Sequence, residues 1–425
     1  MKFEHDLGIE IPKNWEVVRI EDIGQVIGGG TPSTRQEEYY GGDISWITPK
    51  DLSRYRKKYI ANGSRNITEK GLDNSSARLL PKNTVLLSSR APIGYVAIAK
   101  NELCTNQGFK SVICDESKIF PDYLYYMFKI SKRRLESIAS GTTFKEISGK
   151  KVKQFKIPLP PLNEQLKIVK ILNHLDSKLE LNNQIIFNLE ELAQTLFKHW
   201  FVDFEFPNEE GKPYKSSGGK MFESELGMIP EGWSFKKLNE VSKLIMGLSP
   251  KSSTYNEEGE GLPLLNGAAD FNGSSLAPKR YTSDPKRISI KSDLILCIRA
   301  TIGNLTYSDS EYALGRGVAA IRPYKREYSE LLYHFVLRSI NRLKAQATGS
   351  VISGLSKPDL ENIIILVPDD KKLNKFHNVF SSIQLKQQQL SEENIRLVNI
   401  RDTLLPKLLS GEVELPDDME VTDDV

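Results

Sequence analysis

Cysteine is scarce. The chain holds three, Cys104, Cys114 and Cys297, unevenly spaced and without a C-x-x-C. That argues against a disulfide framework or a zinc site and fits a reducing cytoplasm. Histidines number five (His5, His174, His199, His334, His377), none at metal-binding spacing. No apolar run approaches ~18 residues, so no membrane span is expected. The opening MKFEHDLGIEIPKNWE lacks the apolar core of a signal peptide. G-x-x-x-x-G-K-[ST] is missing, so no phosphate-cradling loop is expected. Asn-Pro-Pro-aromatic is missing too, and with it the signature of an adenine-flipping methyltransferase pocket. Gly28-Gly29-Gly30 does not have G-x-G-x-x-G spacing and reads as a flexible loop. Pro368-Asp369-Asp370 lacks a downstream acid-x-Lys and reads as a helix N-terminal cap. No catalytic residue, metal ligand or bound cofactor is therefore expected.

What is present begins with hidden charge. The 425 residues are 39% hydrophobic and 27% charged, a globular composition long enough for two or three domains. Net charge is only +3, but seven of the 55 acids (Glu412, Glu414, Asp417, Asp418, Glu420, Asp423, Asp424) follow Gly411 with no Lys or Arg among them. The body thus carries 58 basic residues against 48 acids. A basic body and an acidic tail lie under the near-neutral total.

The chain also repeats itself at a period near 210 residues. Ile11-Pro12-Lys13-Asn14-Trp15 is echoed by Ile229-Pro230-Glu231-Gly232-Trp233, and Arg90-Ala91-Pro92-Ile93-Gly94 by Arg299-Ala300-Thr301-Ile302-Gly303. Gly108 matches Gly317, Leu124-Tyr125 matches Leu332-Tyr333, Gly141-Thr142-Thr143 matches Gly349-Ser350-Val351, and Pro160 matches Pro368. The offset drifts from 218 to 208, as loop insertions would produce. Each half opens with short strands, at 84–88 and 95–99, then at 293–299 and 317–321. A helix follows (123–140, 330–348), then a last short strand (155–159, 363–367) before the proline.

A long helix closes each half. Ile168, Leu172, Leu175, Leu179, Asn182, Ile186, Leu189, Ala193 and Leu196 alternate steps of three and four, and Phe376, Phe380, Ile383, Gln387, Leu390, Asn394, Leu397, Arg401 and Leu404 repeat them. That is a coiled-coil seam. A rod that long cannot bury its stripe alone, and its duplicate is the obvious partner. A pseudo-two-fold axis would make the rods antiparallel. The polar seam residues Asn182, Gln387, Asn394 and Arg401 are either partly exposed positions or register-fixing ones.

Two related globules on a rigid spacer suit a ligand with two sites at fixed separation, and duplex DNA is the natural candidate. Lys50, Arg54, Arg56, Lys57 and Lys58 cluster, and Lys145 lies in a second basic stretch. Lys279, Arg280, Arg299 and Arg316 carry the second half. Ser89, Arg90, Asn106 and Gln107 lie at strand ends where base-reading side chains are needed, although Asn106-Gln107 could equally close a turn. Thr143 and Ser350 fall on the matched Gly-Thr-Thr and Gly-Ser-Val loops. Arg90 and Arg299 occur in both halves, which suggests a shared phosphate contact or ion pair. The loops otherwise differ, so the two half-sites should differ, giving an asymmetric bipartite site.

Longer motifs then match a known family. Pro160-Pro161-Leu162-Asn163-Glu164-Gln165, together with Leu196-Phe197-Lys198-His199-Trp200-Phe201-Val202-Asp203-Phe204, resembles the central conserved region of type I restriction–modification specificity subunits. Leu404-Leu405-Pro406-Lys407-Leu408-Leu409-Ser410-Gly411-Glu412-Val413 resembles their distal conserved region. Ile-Pro with Trp15 and Trp233 resembles the starts of their target recognition domains. The second half departs at Asp369-Asp370-Lys371-Lys372-Leu373. The resemblance implies an α+β fold of two homologous mixed α/β target recognition domains, held apart by two long antiparallel coiled-coil helices. The expected segments are 1–160 and 224–368 for the domains, 161–206 and 369–413 for the helices, 207–223 for a linker and 414–425 for the tail.

The resemblance further implies a non-catalytic subunit that reads a split asymmetric sequence in double-stranded DNA. Two methyltransferase subunits, which carry S-adenosylmethionine, and restriction subunits would be its partners. Phe197, Trp200, Phe201, Leu404 and Leu408 would form the docking face, although aromatics at a helix end can equally be core. A duplicated protein- or glycan-binding module on a coiled-coil spacer is the alternative, and an autonomous DNA-modifying enzyme the lesser one.

Overall fold

In the computed structural model, every residue is described apart from 54, 56, 142–144, 274, 300, 347–353 and 417–425, with backbone alone described over 343–346. The chain forms two compact units, and they do not follow its linear order. One comprises Met1–Gln184 with Ser391–Val425, the other Ile185–Leu390. Each unit therefore combines one mixed α/β globule with part of both long helices.

In the first unit a five-stranded sheet runs in the order Gly24–Gly28, Lys110–Cys114, Val85–Leu87, Val96–Ala99, Tyr59–Ile60. A second sheet joins Cys104–Thr105, Tyr40–Ile47 and Arg65–Ile67. The run Val85–Leu87 is wholly buried, as a central strand covered on both faces requires. The helix Pro121–Ile130 packs on the sheet and buries Tyr123, Leu124, Tyr126 and Phe128 completely. The single helix expected over 123–140 is interrupted at Ser131 and resumes as Lys132–Ser137. Lys156–Leu159 pairs antiparallel with Glu16–Arg19, leading the chain into the central helix Leu162–Phe201. Its Gln165 is fully buried, accepts from Phe120 N and donates to the carbonyls of Lys118 and Pro160, so the helix is tied to the globule from its first turn.

The second unit repeats this plan. Its four-stranded sheet runs Ser242–Met246, Val318–Pro323, Leu294–Cys297, Leu305–Tyr307, and Ser234–Lys237 pairs with Ile364–Val367 ahead of the distal helix Asp370–Ser410. The helix Ser329–Gln346 covers the sheet.

Within each unit the helical segments run antiparallel, and burial follows the seam. In the first, Ile168, Leu172 and Asn182 are buried; Arg401 Nη1 donates to Asp176 Oδ1 at 3.0 Å, and Asn182 Nδ2 donates to Asn394 Oδ1 at 3.0 Å and to Glu393 Oε2 at 2.9 Å. In the second, Gln387 Nε2 donates to the Ile186 carbonyl at 3.3 Å, and Ala193 and Phe380 are buried. All four polar seam residues thus bond across the helices. Part of the expected acidic tail is also docked. Val413 and Leu415 pack on the first unit's core, and Lys167 Nζ donates to the Pro416 carbonyl at 2.7 Å.

Candidate nucleic-acid interface

Three loops meet at one edge of the first unit's five-stranded sheet. Residues 29–31 leave strand Gly24–Gly28, 106–109 enter Lys110–Cys114, and 88–90 leave Val85–Leu87. Backbone bonds lock them together: Gly29 N to Phe109 O at 3.3 Å, Ser89 N to Gly108 O at 2.7 Å, and Asn106 N to Ile47 O at 2.9 Å. Gly29 and Gly30 of the Gly28–Gly30 run are tightly packed, whereas a Cβ on Gly28 would meet nothing within 4 Å. A Cβ on Gly29 would lie 2.0 Å from Asn106 O, and one on Gly30 2.1 Å from Ala77 N, so no side chain fits.

This closeness decides which side chains can reach a ligand. Asn106 is the turn residue, its Oδ1 accepting from Gly108 N at 2.9 Å. Gln107 projects and is exposed, with the Thr31 hydroxyl donating to its Oε1. Arg90 is half-exposed; its guanidinium lies 3.6 Å from Glu146, to which Lys110 also reaches at 3.4 Å. Ser89 corrects the expectation of a DNA contact: it is fully buried, and its hydroxyl donates to Gly108 O at 3.1 Å. Beside this edge lies an open groove of about 530 Å³, lined by Lys110, Lys150, Lys153 and Glu21 among others.

The basic stretch after Lys50 divides in two. Lys50 is exposed and follows Pro49, whose ring faces Gly108. Lys57 and Lys58 point the other way. Lys57 pairs with Glu180 of the central helix at 2.6 Å. Lys58 is bound to Asp122 and donates to Asn173 Oδ1 at 2.5 Å, and Tyr59 donates to Asp122 at 2.9 Å. Lys58, nearly enclosed with Asp122, fastens the loop to the helix and is not free to meet phosphates, a second correction, whereas Lys57 and Glu180 form an exposed pair. Lys145 is exposed. Arg54, Arg56, Thr143 and Ser350 lie outside the described residues.

The second unit rebuilds the same edge. Gly247 N donates to Val318 O at 3.0 Å, Ile298 N to Gly317 O at 2.9 Å, and Gly315 N to Leu265 O at 2.8 Å. Arg316 takes the place of Gln107; its Nε and backbone N both donate to Ser249 Oγ at 3.3 Å, where Ser249 takes the place of Thr31. Arg299 is exposed at the place of Arg90. Their backbones make the same bridge, Arg90 to Glu146 and Arg299 to Gly354, so a glycine stands in the second unit where the first has the carboxylate of Glu146. Lys279 and Arg280 are exposed. The Thr31 and Ser249 partnership was missed from sequence, although Gly-Gly-Thr-Pro and Gly-Leu-Ser-Pro stand at the 218 offset already set by the tryptophans.

The expected docking residues are corrected too. Phe197, Trp200 and Phe201 are buried in the second unit's core, Phe201 lying 4.8 Å from Phe376 and 5.1 Å from Trp233 between ring centroids. Leu408 is buried in the first unit's core, and Leu404 is half-buried against it. The helices instead leave other apolar side chains in solvent: Leu181, Ile395 and Ile400 in the first unit, Phe187, Leu192 and Leu385 in the second. Among the described residues no helix is long and apolar enough to cross a membrane, and no group of three or more His, Cys, Asp or Glu is placed to hold a metal.

Comparison with known proteins places this geometry. The family model described as type I restriction modification DNA specificity domain matches twice, over residues 12–191 and 230–399. The chain is 36% identical over 432 residues to the type I restriction enzyme MjaIX specificity subunit of Methanocaldococcus jannaschii, covering 97% of this chain and 96% of that one. It is 22% identical over 443 residues to the EcoKI specificity subunit of Escherichia coli, covering 95% and 90%. The fold is similar to the crystal structure of a type I restriction-modification S subunit from M. genitalium, with a TM-score of 0.60 at 19% identity over 98% of this chain and 99% of that one. The chain belongs to the type I restriction–modification DNA specificity family, and it carries that family's domain twice.

Proposed function

We propose that each unit reads one half of an asymmetric, bipartite sequence in double-stranded DNA through the loop edge described above. The observation that carries this is the edge built twice on the same backbone bonds, with an arginine kept at 90 and 299 and a different reader at 107 and 316. A shared cation suits the phosphate backbone, which is the same everywhere, whereas divergent readers suit different bases. The chain is the sequence-reading, non-catalytic member of its complex, and methylation and cleavage belong to partner subunits. In this reading two methyltransferase subunits dock on the helices, restriction subunits join the full complex, and helix length sets the spacer between half-sites. S-adenosylmethionine is held by the methyltransferase subunits, and the assembly works in the cytoplasm, where its substrate is.

The test is duplex binding by the assembled complex across a salt series. Log affinity should fall steeply and linearly with log salt, by nearly one unit of slope for each phosphate neutralised. A slope near zero would favour a protein- or glycan-binding module and overturn the proposal. Exchanging residues 224–368 for those of a divergent family member should change one half-site and leave the other intact.

A further inference from the structure

We infer that positions 107 and 316 each read one base pair, Gln107 an adenine in one half-site and Arg316 a guanine in the other, with Thr31 and Ser249 as their positioning residues. This rests on the DNA-reading role proposed above and assigns its chemistry.

The two positions are the same place in the repeat. Each directly precedes the glycine, 108 or 317, whose carbonyl accepts from the strand-end residue 89 or 298. Each side chain is exposed, and each is gripped by a hydroxyl two residues beyond the glycine that pairs with the neighbouring strand, Gly29 or Gly247. A hydroxyl can both donate and accept, so one residue type serves both readers. Thr31 donates to the Gln107 carbonyl oxygen, and Ser249 accepts from the Arg316 Nε.

What the grip leaves free is the reading surface. Among the described residues neither side chain has a further side-chain partner, so Gln107 keeps both Nε2 hydrogens and a second lone pair on Oε1. That is the donor–acceptor pair matching adenine N7 and N6 in the major groove. Arg316 spends Nε on Ser249 and keeps its two terminal nitrogens, the fork that matches guanine O6 and N7. A phosphate contact common to both repeats is already served by Arg90 and Arg299. A neutral amide at 107 and a guanidinium at 316 instead suit two different base pairs.

The experiment uses the specificity subunit assembled with its methyltransferase subunits and a randomised duplex library, with binding selection and methylation mapping as readouts. Gln107→Arg should change one position of one half-site from A·T to G·C, with discrimination on the order of tenfold to a hundredfold. Arg316→Gln should do the reverse in the other half-site. The untouched half-site in the same complex reports that the variant is folded. Thr31→Ala should weaken discrimination at the base pair read by Gln107 several-fold, and Thr31→Ser should restore it. If Gln107→Arg and Arg316→Gln change affinity equally for all sequences, the two positions are phosphate contacts and the inference is overturned while the DNA-reading role stands. If the unsubstituted complex shows neither salt-dependent nor sequence-selective binding, the role itself fails and the inference with it.

Discussion

The indole N–H of Trp15 donates to Glu164 Oε2 at 2.7 Å, joining the start of the first globule to the first turn of the central helix. The repeat keeps the tryptophan but not the bond. Lys372 stands where Glu164 does, and the buried indole N–H of Trp233 has no partner among the described residues. Lys372 turns instead to Asp369. The departure visible in sequence at Asp369–Leu373 thus has a physical consequence. Trp15→Phe should destabilise the chain by about 1 kcal/mol more than Trp233→Phe, because only the first loses a made hydrogen bond. Urea denaturation of both variants checks this, and equal losses would contradict it.

Acid should act through His334. Its ring is stacked on Phe197 at 5.0 Å and lies edge-on to Phe380, and burial pushes its pKa down to about 3. The unfolded chain therefore takes up the proton first. Stability is lost as pH falls below the ordinary histidine value, by about 1.4 kcal/mol per unit until the folded state also protonates. Glu330 works in the opposite sense, since burial raises its carboxyl, so the comparison must be by difference. His334→Phe should flatten the loss between pH 6 and about 4 relative to the parent. Parallel curves would show that the imidazole does not carry it.

The basic loop offers a clean separation of roles. Lys58→Ala removes one partner from a largely buried pair with Asp122 and should cost roughly 3 kcal/mol of stability. Its effect on DNA affinity, measured at a temperature where the variant is folded, should be small. Lys50→Ala should do the reverse, leaving stability within about 0.5 kcal/mol and reducing the salt slope by about one. Denaturation and fluorescence anisotropy on both variants check the pair.

The organisation was legible in the sequence because duplication leaves landmarks that composition cannot hide. The strands at 85–87 and 294–297, the glycines at 108 and 317 and both long helices fall where the repeat puts them. What escaped depends on three-dimensional neighbours. Nothing in Ser88-Ser89-Arg90 marks Ser89 as the buried member, because that follows from its bond to Gly108 across the sheet. Lys58 looks like a phosphate binder until Asp122 is seen opposite it. The aromatics at the end of the central helix carry no sequence mark that separates core from interface. Trp233 and Phe376, which cover them, come from distant segments.

The enclosed aromatics leave methyltransferase docking to other side chains of the helices. A side chain already enclosed by its own unit has no area left to bury against a partner. Phe201→Ala should therefore cost about 3–5 kcal/mol of stability by opening a cavity. Phe187, 59% exposed, and Leu385, 57% exposed, have that area to give. Burying one such side chain contributes about 1.5–3 kcal/mol. Phe187→Glu or Leu385→Glu should accordingly weaken assembly with the methyltransferase subunits by tenfold or more, since roughly 1.4 kcal/mol corresponds to tenfold. The variants' own unfolding midpoints should stay within about 1 kcal/mol of the parent. Analytical ultracentrifugation with increasing methyltransferase subunit, beside denaturation of the isolated chain, separates the outcomes. Unimpaired assembly by both glutamate variants would move the docking surface to Leu181, Ile395 and Ile400 on the first unit's helices.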